Sequence, residues 1–208
     1  MDTTERDALR NATERLLAHR EGTLHFEEHF VPTPFVTDPA SGRLVMPVPE
    51  AAFFAPEHIF FVPEEAQDAL QLLLSVERAE ESALTDRWMA HHGEPEHVRW
   101  AECYIDAAKR QPWVFDGDAL MLTNPLAGDE PWIVRTLNED EPHVRRVVSA
   151  IVEKEATEAQ VVAVDDLGAH VRARFGVVRA TFPERGAGRD RGGGPLPPPG
   201  GAPGPGPH

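Results

Sequence analysis

The segment from Leu137 to Pro183 constrains the fold more than any other part of this 208-residue chain. It contains apolar residues spaced three and four positions apart, at Val144, Val147, Val148, Ile151 and Val152. A short apolar run at 161–164 then meets an Asp-Asp-Leu-Gly turn, after which alternation resumes. This order predicts an amphipathic helix followed by an antiparallel meander, because so short a turn can join only neighbouring antiparallel strands.

The helix is predicted to begin near Asp140. Pro142 has no amide hydrogen and therefore belongs in the first turn, where acidic neighbours would lie at the positive end of the helix dipole. On the return strand, His170, Arg172 and Arg174 alternate with apolar residues. The alternation predicts a sheet with one solvated face.

The N-terminal part is predicted to hold one helix and several short strands. A capping-box pattern at 2–5 and apolar residues at helical spacing predict a helix that ends at Gly22. From Thr23 the period is two, which predicts a strand with His25, Glu27 and His29 on one face. The run 70–76 is predicted to be a buried strand, with a helix as the alternative.

The middle of the chain is predicted to be less regular. Residues 78–96 indicate a short helix and then a loop that carries His91 and His92, with His97 beyond it. Asp116-Gly117-Asp118 is typical of a hairpin turn between strands at 113–115 and 119–122, and 124–131 is predicted to be a loop. Because alternating βαβ units are absent, this order favours an α+β fold with an antiparallel barrel.

Charge and composition narrow the classes of partner. The net charge is −15 and the only lysines are Lys109 and Lys154, so we expect no nucleic-acid partner. No apolar run approaches the roughly 18 residues of a spanning helix, and the acidic start is not a signal peptide, so we expect a cytoplasmic protein with no membrane partner. Gly and Pro fill 16 of the 23 positions from Gly186 to His208. We therefore predict a disordered tail over 184–208 and consider it a candidate contact for a protein partner.

Residues with reactive side chains do not assemble into a recognisable motif. Cys103 stands alone, which excludes an intrachain disulfide and a site with several thiolates. His25 and His29 would lie roughly 13 Å apart along a strand, too far to share a metal ion. The His91-His92-His97 segment is predicted to be a solvated loop, with a metal or proton-transfer role as the alternative. The sequence therefore assigns no catalytic residue and no metal ligand.

Three short motifs near the C-terminus suggest a family. They are Thr136-Leu137-Asn138-Glu139-Asp140-Glu141, Val164-Asp165-Asp166-Leu167-Gly168 and Arg179-Ala180-Thr181-Phe182-Pro183. Their succession resembles the heme-utilisation branch of the pyridoxamine-5′-phosphate-oxidase-like, FMN-binding split barrels. In that family the first motif begins and ends with histidine, where this chain has Thr136 and Glu141.

The resemblance implies an antiparallel split β-barrel over 5–125 and a small helix-plus-β-meander domain over 132–183. It implies a homodimer that binds heme or FMN at the subunit interface, with Asn138, Asp140, His143 and Arg135 as the cofactor-binding residues. The replaced histidines leave an equal alternative, in which no cofactor is bound and the chain is a non-catalytic interaction or regulatory protein. Whether the chain is an enzyme therefore stays open at this point.

Overall fold

A computed structural model describes residues 3–96 and 99–182, which form a mixed α+β fold with an eight-stranded antiparallel sheet and a separate three-stranded sheet. The helices are α1 (Thr3–Ala18), α2 (Ala83–His92), α3 (Glu130–Asn138) and α4 (Glu141–Val152). The strands of the large sheet are β1 (Glu21–Phe26), β2 (His29–Pro34), β3 (Val36–Thr37), β4 (Leu44–Val48), β5 (Ile59–Val62), β6 (Leu70–Arg78), β7 (Arg99–Arg110) and β8 (Trp113–Asp116). The strands of the small sheet are β9 (Gln160–Asp165), β10 (Gly168–Ala173) and β11 (Gly176–Thr181). The predicted tail at 184–208 lies outside the described residues.

The large sheet curls into a half-barrel. Its strand order is β2-β1-β5-β6-β7-β4-β3, and β8 pairs with the second half of β7. One buried residue, Phe35, separates the edge strand β2 from the opposite edge strand β3. The two edges of the sheet therefore come close to each other, which supports the antiparallel barrel-like fold predicted from the element order.

The main core lies inside this curl. On β6, Leu70, Leu72 and Leu74 point inward and are buried, as expected for a strand with alternating faces. Helix α1 covers the same core with Ala12 and Leu16. The prediction of a strand rather than a helix at 70–76 is thus confirmed.

The small sheet has a core of its own. Val144 and Val148 of α4 pack with Val161 and Val171 of the meander, as the helical stripe predicted. Helix α4 begins where expected, because the carboxylate of Asp140 accepts a hydrogen bond from the His143 amide at 3.1 Å. The domain boundaries at 5–125 and 132–183 stay a prediction.

The first predicted strand is instead a hairpin. Glu27 adopts a positive φ of 50° and turns the chain between β1 and β2, so that Phe26 pairs with His29. The prediction that His25, Glu27 and His29 share one strand face is therefore wrong. The alternation of polar and apolar residues continues through this turn, so the sequence pattern does not reveal it.

Three other predictions need correction. The Asp-Gly pair starts a short 3-10 helix at Gly117 rather than a hairpin, since β8 has already returned from β7 after the turn at Gln111 and Pro112. The predicted loop at 124–131 runs into α3, where Pro131 occupies the first turn. His91 and His92 lie on helix α2 rather than in a loop.

The face of β10 predicted to be solvated is covered. His170 is 1% exposed, and Arg172 donates to the Ala90 carbonyl of α2 at 2.8 Å. Helix α2 therefore packs on this face. Among the residues that the structure describes, no helix is both long and apolar enough to cross a membrane.

Candidate functional site

The outer face of the large sheet carries a shallow groove of about 180 Å³. Its walls are side chains from two neighbouring cross-strand rows on β5 to β8: Ile59, Leu73, Ala107, Gln71, Lys109 and Val114. Leu73 and Val114 are 38% and 66% exposed, although both are apolar. This outer groove is thus a concave, partly apolar strip of the sheet.

Acidic side chains lie beside the outer groove. An adjoining depression contains three carboxylates: Glu57, Glu77 and Asp106. Asp106 accepts a hydrogen bond from Ser75 at 2.9 Å, and Asp118 accepts one from the Tyr104 hydroxyl. The bond to Asp118 raises the pKa of Tyr104. Lys109 is the cationic side chain that lines the groove, so an anionic ligand would be attracted at that end.

A second polar site lies where α2 meets the small sheet and the end of α1. We call it the junction cluster, and its members are Arg20, Arg87, His91, Glu130, Asp165, His170 and Arg179. Arg87 of α2 and Glu130 of α3 form a two-pronged ion pair, with N–O distances of 2.9 and 2.8 Å. Glu130 also accepts the Val164 amide at 2.9 Å. A buried carboxylate therefore ties two helices to strand β9.

The second ion pair of the cluster joins two of the C-terminal motifs. Arg179 donates two hydrogen bonds to Asp165, at 2.8 and 2.6 Å. Asp165 also accepts the amides of Leu167 and Gly168, which closes the turn between β9 and β10. The aspartate and the arginine of these motifs thus support each other in holding the meander together.

Arg20 lies deeper in the cluster and is 7% exposed. Its Nη1 donates to the His19 carbonyl at 2.8 Å, and its Nη2 donates to Nδ1 of His170 at 3.3 Å. Nε2 of His170 donates to the Leu17 carbonyl at 3.0 Å, so the imidazole is neutral. Burial, followed by the charges of Arg179 and Arg87, lowers the pKa of Arg20 to about 9, which leaves it charged at neutral pH.

The buried histidines of the cluster are held in their neutral form. Burial lowers the pKa of His91 to about 3, while its Nδ1 donates to the Arg87 carbonyl at 2.8 Å. Burial and then the charges of Arg20 and Arg179 lower the pKa of His170 well below its ordinary value. Such weak bases are poorly suited to proton transfer near neutral pH.

We expect the free energy of unfolding to fall as the pH is lowered from 7 to 5. His91 and His170 are neutral when folded but titrate near 6.5 when unfolded, so the unfolded chain takes up protons first. Each histidine adds a slope of up to about 1.4 kcal/mol per pH unit below 6.5, until the lowered folded pKa is reached.

Urea unfolding across this pH range measures the slope, and His91→Asn should reduce it. Asparagine keeps an N–H donor near the Arg87 carbonyl but does not titrate. The matched control is His143→Asn, because His143 is exposed on α4. Equal slopes in the wild type and His91→Asn would contradict the expectation.

The four residues that the family resemblance suggested as cofactor ligands lie on α3 and α4 or between them. The amide of Asn138 donates to the Val161 carbonyl at 2.9 Å and accepts the Val161 amide at 2.8 Å, which fastens α3 to β9. Asp140 caps α4, and Arg135 and His143 are exposed. Their role toward a cofactor stays a prediction. In the described part of the chain no three His, Cys, Asp or Glu side chains form a group that could hold a metal, and His97 lies outside that part.

Comparison with known proteins gives a structural likeness that informs the fold. No protein-family model matches the chain, and no curated protein matches it. The chain is similar to the crystal structure of Atu2129, a protein of unknown function from Agrobacterium tumefaciens strain C58. The TM-score is 0.66 at 13% sequence identity, over 88% of this chain and 90% of that chain. At this identity the likeness shows a shared fold alone.

Proposed function

We propose that the chain is a split-barrel protein that forms a homodimer and binds a flat cofactor, FMN rather than heme, in the outer groove. The observation that carries this proposal is the apolar strip across β5 to β8, where Leu73 and Val114 are exposed. The groove is smaller than the roughly 300–1,000 Å³ of typical ligand pockets, and a second copy laid over it would enclose a larger space. The split barrel is consistent with the curled half-barrel sheet.

Replacing Leu73 with Asp should convert the dimer to a monomer. A charged side chain at the centre of an apolar interface would be buried without a partner, which is strongly unfavourable. Light scattering after gel filtration measures the mass of wild type and variant. Phe175→Asp is the control, because Phe175 is 54% exposed at the turn between β10 and β11, away from the groove. A wild type that is already monomeric would refute the dimer.

The residues that line the outer groove do not fit heme. Heme iron needs a protein ligand such as an imidazole or a thiolate. Nε2 of His58 is bonded to the Ala52 carbonyl at 2.6 Å, and the ring of His25 stacks on Phe30 at 4.1 Å. Cys103 is fully buried, and burial raises the pKa of its thiol to about 12. None of these three side chains offers a free ligand in the groove.

FMN fits the outer groove better. The apolar row of Leu73 and Val114 would lie against the ring, Gln71 would hydrogen-bond its polar edge, and Lys109 would pair with the phosphate. When bound, a flavin supplies hydride or electron transfer. The residues of this chain would bind and orient the ring and limit its contact with water.

Titration with FMN tests this assignment. We expect the flavin fluorescence to be quenched on binding, and Lys109→Gln should weaken the affinity about tenfold through loss of a charge-assisted contact. Lys154→Gln is the matched control, since Lys154 is the other lysine of the chain and lies beyond α4. Absence of quenching, or equal affinity in both variants, would argue against the flavin site.

A second candidate function is a non-catalytic interaction protein of the same fold. The carboxylates beside the groove favour it, because Glu77 and Asp106 would attract a basic surface. This candidate predicts a protein that stays colourless with FMN and binds a basic partner less tightly as salt rises. The double variant Glu77→Gln and Asp106→Asn should then lose affinity for that partner.

A further inference from the structure

A pocket of about 140 Å³ opens onto the junction cluster. Its lining comes from α1, α2, the small sheet and the segments 37–39 and 122–125, and includes no residue of β5 to β8, where the outer groove lies. Arg20, Arg87 and His170 lie in its wall, together with Thr37 and Asn124. The pocket is far smaller than a flavin or heme site, so its occupant would have only a few heavy atoms.

The ion pairs of the junction cluster leave one guanidinium without a carboxylate partner, although Asp38 and Asp166 also lie in the pocket wall. The junction cluster contains three guanidinium groups, from Arg20, Arg87 and Arg179, but two carboxylates. Glu130 is engaged by Arg87, and Asp165 is engaged by Arg179. Since the histidines are neutral, one positive charge of the cluster remains without an ion pair. It lies on Arg20, for which residues 3–96 and 99–182 supply no carboxylate at ion-pair distance.

A second observation concerns hydrogen-bond donors at the same place. Nε of Arg87 is buried and has no hydrogen-bond partner among the described residues, although both of its terminal nitrogens bond to Glu130. Buried donors in folded proteins nearly always have partners. A guanidinium without an ion pair and an unpaired donor at one pocket both call for a hydrogen-bond acceptor, which a carboxylate supplies.

We infer that this pocket binds a small carboxylate, whose oxygens pair with the guanidinium of Arg20. A carboxylate is planar and matches the fork of an arginine with two parallel hydrogen bonds. Asp38 and Asp166 also line the pocket. They would repel a doubly charged anion such as phosphate, so the remainder of the ligand is neutral or cationic, as in acetate or glycine.

The ligand would link the two sheets. Arg20 precedes β1 of the large sheet, while His170 and Asp165 belong to the small one. A carboxylate on Arg20 therefore adds an ion pair at the contact between the two parts of the fold. Because it binds the folded chain alone, it should raise the melting temperature as its concentration rises.

Thermal unfolding of the full chain tests the inference, with acetate, glycine and phosphate as probes at constant ionic strength set by sodium chloride. We expect acetate and glycine to raise the melting temperature in a saturable manner and phosphate to leave it unchanged. Arg20→Met should abolish this rise, and calorimetry should show at least about a tenfold loss of affinity. Arg20→Lys, which keeps the charge without the fork, should retain a weaker response. Arg145→Met on the exposed face of α4 is the control and should respond as the wild type does.

The melting temperature of Arg20→Met without added carboxylate gives an independent test. Removing an uncompensated buried charge should leave Arg20→Met at least as stable as the wild type in chloride buffer, whereas loss of a purely structural arginine would lower its melting temperature. An unresponsive wild type would overturn the site. So would equal responses in wild type and Arg20→Met, or stabilisation by phosphate alone. If Arg20→Met does not fold, Arg20→Lys decides the question: a weaker response than that of Arg145→Met supports the site, and an equal response overturns it.

Discussion

Replacing Glu130 with Gln is expected to lower the free energy of unfolding by about 3–5 kcal/mol, because it breaks a buried ion pair from one side. The side chain of Glu130 is 6% exposed and that of Arg87 is 19% exposed. The carboxylate accepts two hydrogen bonds from Arg87 and one from the Val164 amide. Glutamine has one acceptor oxygen in place of two and no charge, so the guanidinium of Arg87 would stay buried without compensation.

Urea unfolding monitored by circular dichroism measures this loss. Glu141→Gln is the matched control, since Glu141 is 58% exposed and lies 3.9 Å from Arg145 on α4. That exposed pair should change the stability by no more than about 0.5 kcal/mol. A double-mutant cycle with Arg87→Met then separates the ion pair from the bond to Val164. If Glu130→Gln unfolds at the same urea concentration as Glu141→Gln, the pair contributes nothing and the expectation is wrong.

Local periodicity predicted the structure correctly where the residues of a single element determine that structure. The stripe at Val144 and Val148 predicted the buried face of α4, and Pro142 together with Asp140 predicted its start. The meander followed from a short turn between apolar runs. In each case the signal lies within a dozen residues, and no distant contact overrides it.

Periodicity failed where a turn or a tertiary contact intervenes. The hairpin between β1 and β2 depends on the positive φ of Glu27. Glycine and asparagine are the residues that usually indicate a positive φ, and this turn contains neither. His170 alternates with apolar residues and was predicted to face water, yet α2 covers it. Its partner Arg20 is 150 positions away in the chain, a separation that no local pattern can report.

The C-terminal motifs illustrate the difference between residues that stabilise the fold and residues that could bind a ligand. Asp165 and Arg179 belong to two of the short motifs, and their ion pair joins β9 to β11 within the small sheet. The side chain of Asn138 likewise bonds to both the backbone amide and the backbone carbonyl of Val161. These residues stabilise the scaffold. Arg20 bonds to the His19 carbonyl and to His170, but it forms no ion pair within residues 3–96 and 99–182, and for this reason it carries the inference of a ligand.

Charge also separates the two surfaces of the molecule that are suited to binding. The outer groove lies beside a depression with carboxylates and has one lysine, whereas the junction pocket has the guanidinium of Arg20 in its wall. Each proposed ligand would therefore pair with a different cation, FMN with Lys109 and a small carboxylate with Arg20. Changes at Lys109 should leave carboxylate binding at Arg20 intact, and changes at Arg20 should leave FMN binding intact.

Replacing Gly117 with Ala is expected to cost about 3 kcal/mol or more, at the upper end of what overpacking causes. A Cβ atom at this position would lie 1.7 Å from the carbonyl oxygen of Ile105 and 2.4 Å from its carbonyl carbon. Both are backbone atoms of β7, which pairs with β4, β6 and β8. Neither can move without disturbing those pairings, so the strand cannot yield as a flexible side chain would.

Gly128→Ala is the matched control for this substitution. A Cβ atom there would meet nothing within 4 Å, so the same added methyl group should change the stability by no more than about 0.5 kcal/mol. Urea midpoints of the two variants, measured side by side, compare a close backbone approach with open space. A close contact between Gly117 and the backbone of β7 must destabilise the alanine variant. Equal midpoints would therefore mean that this contact is less close than the structure shows.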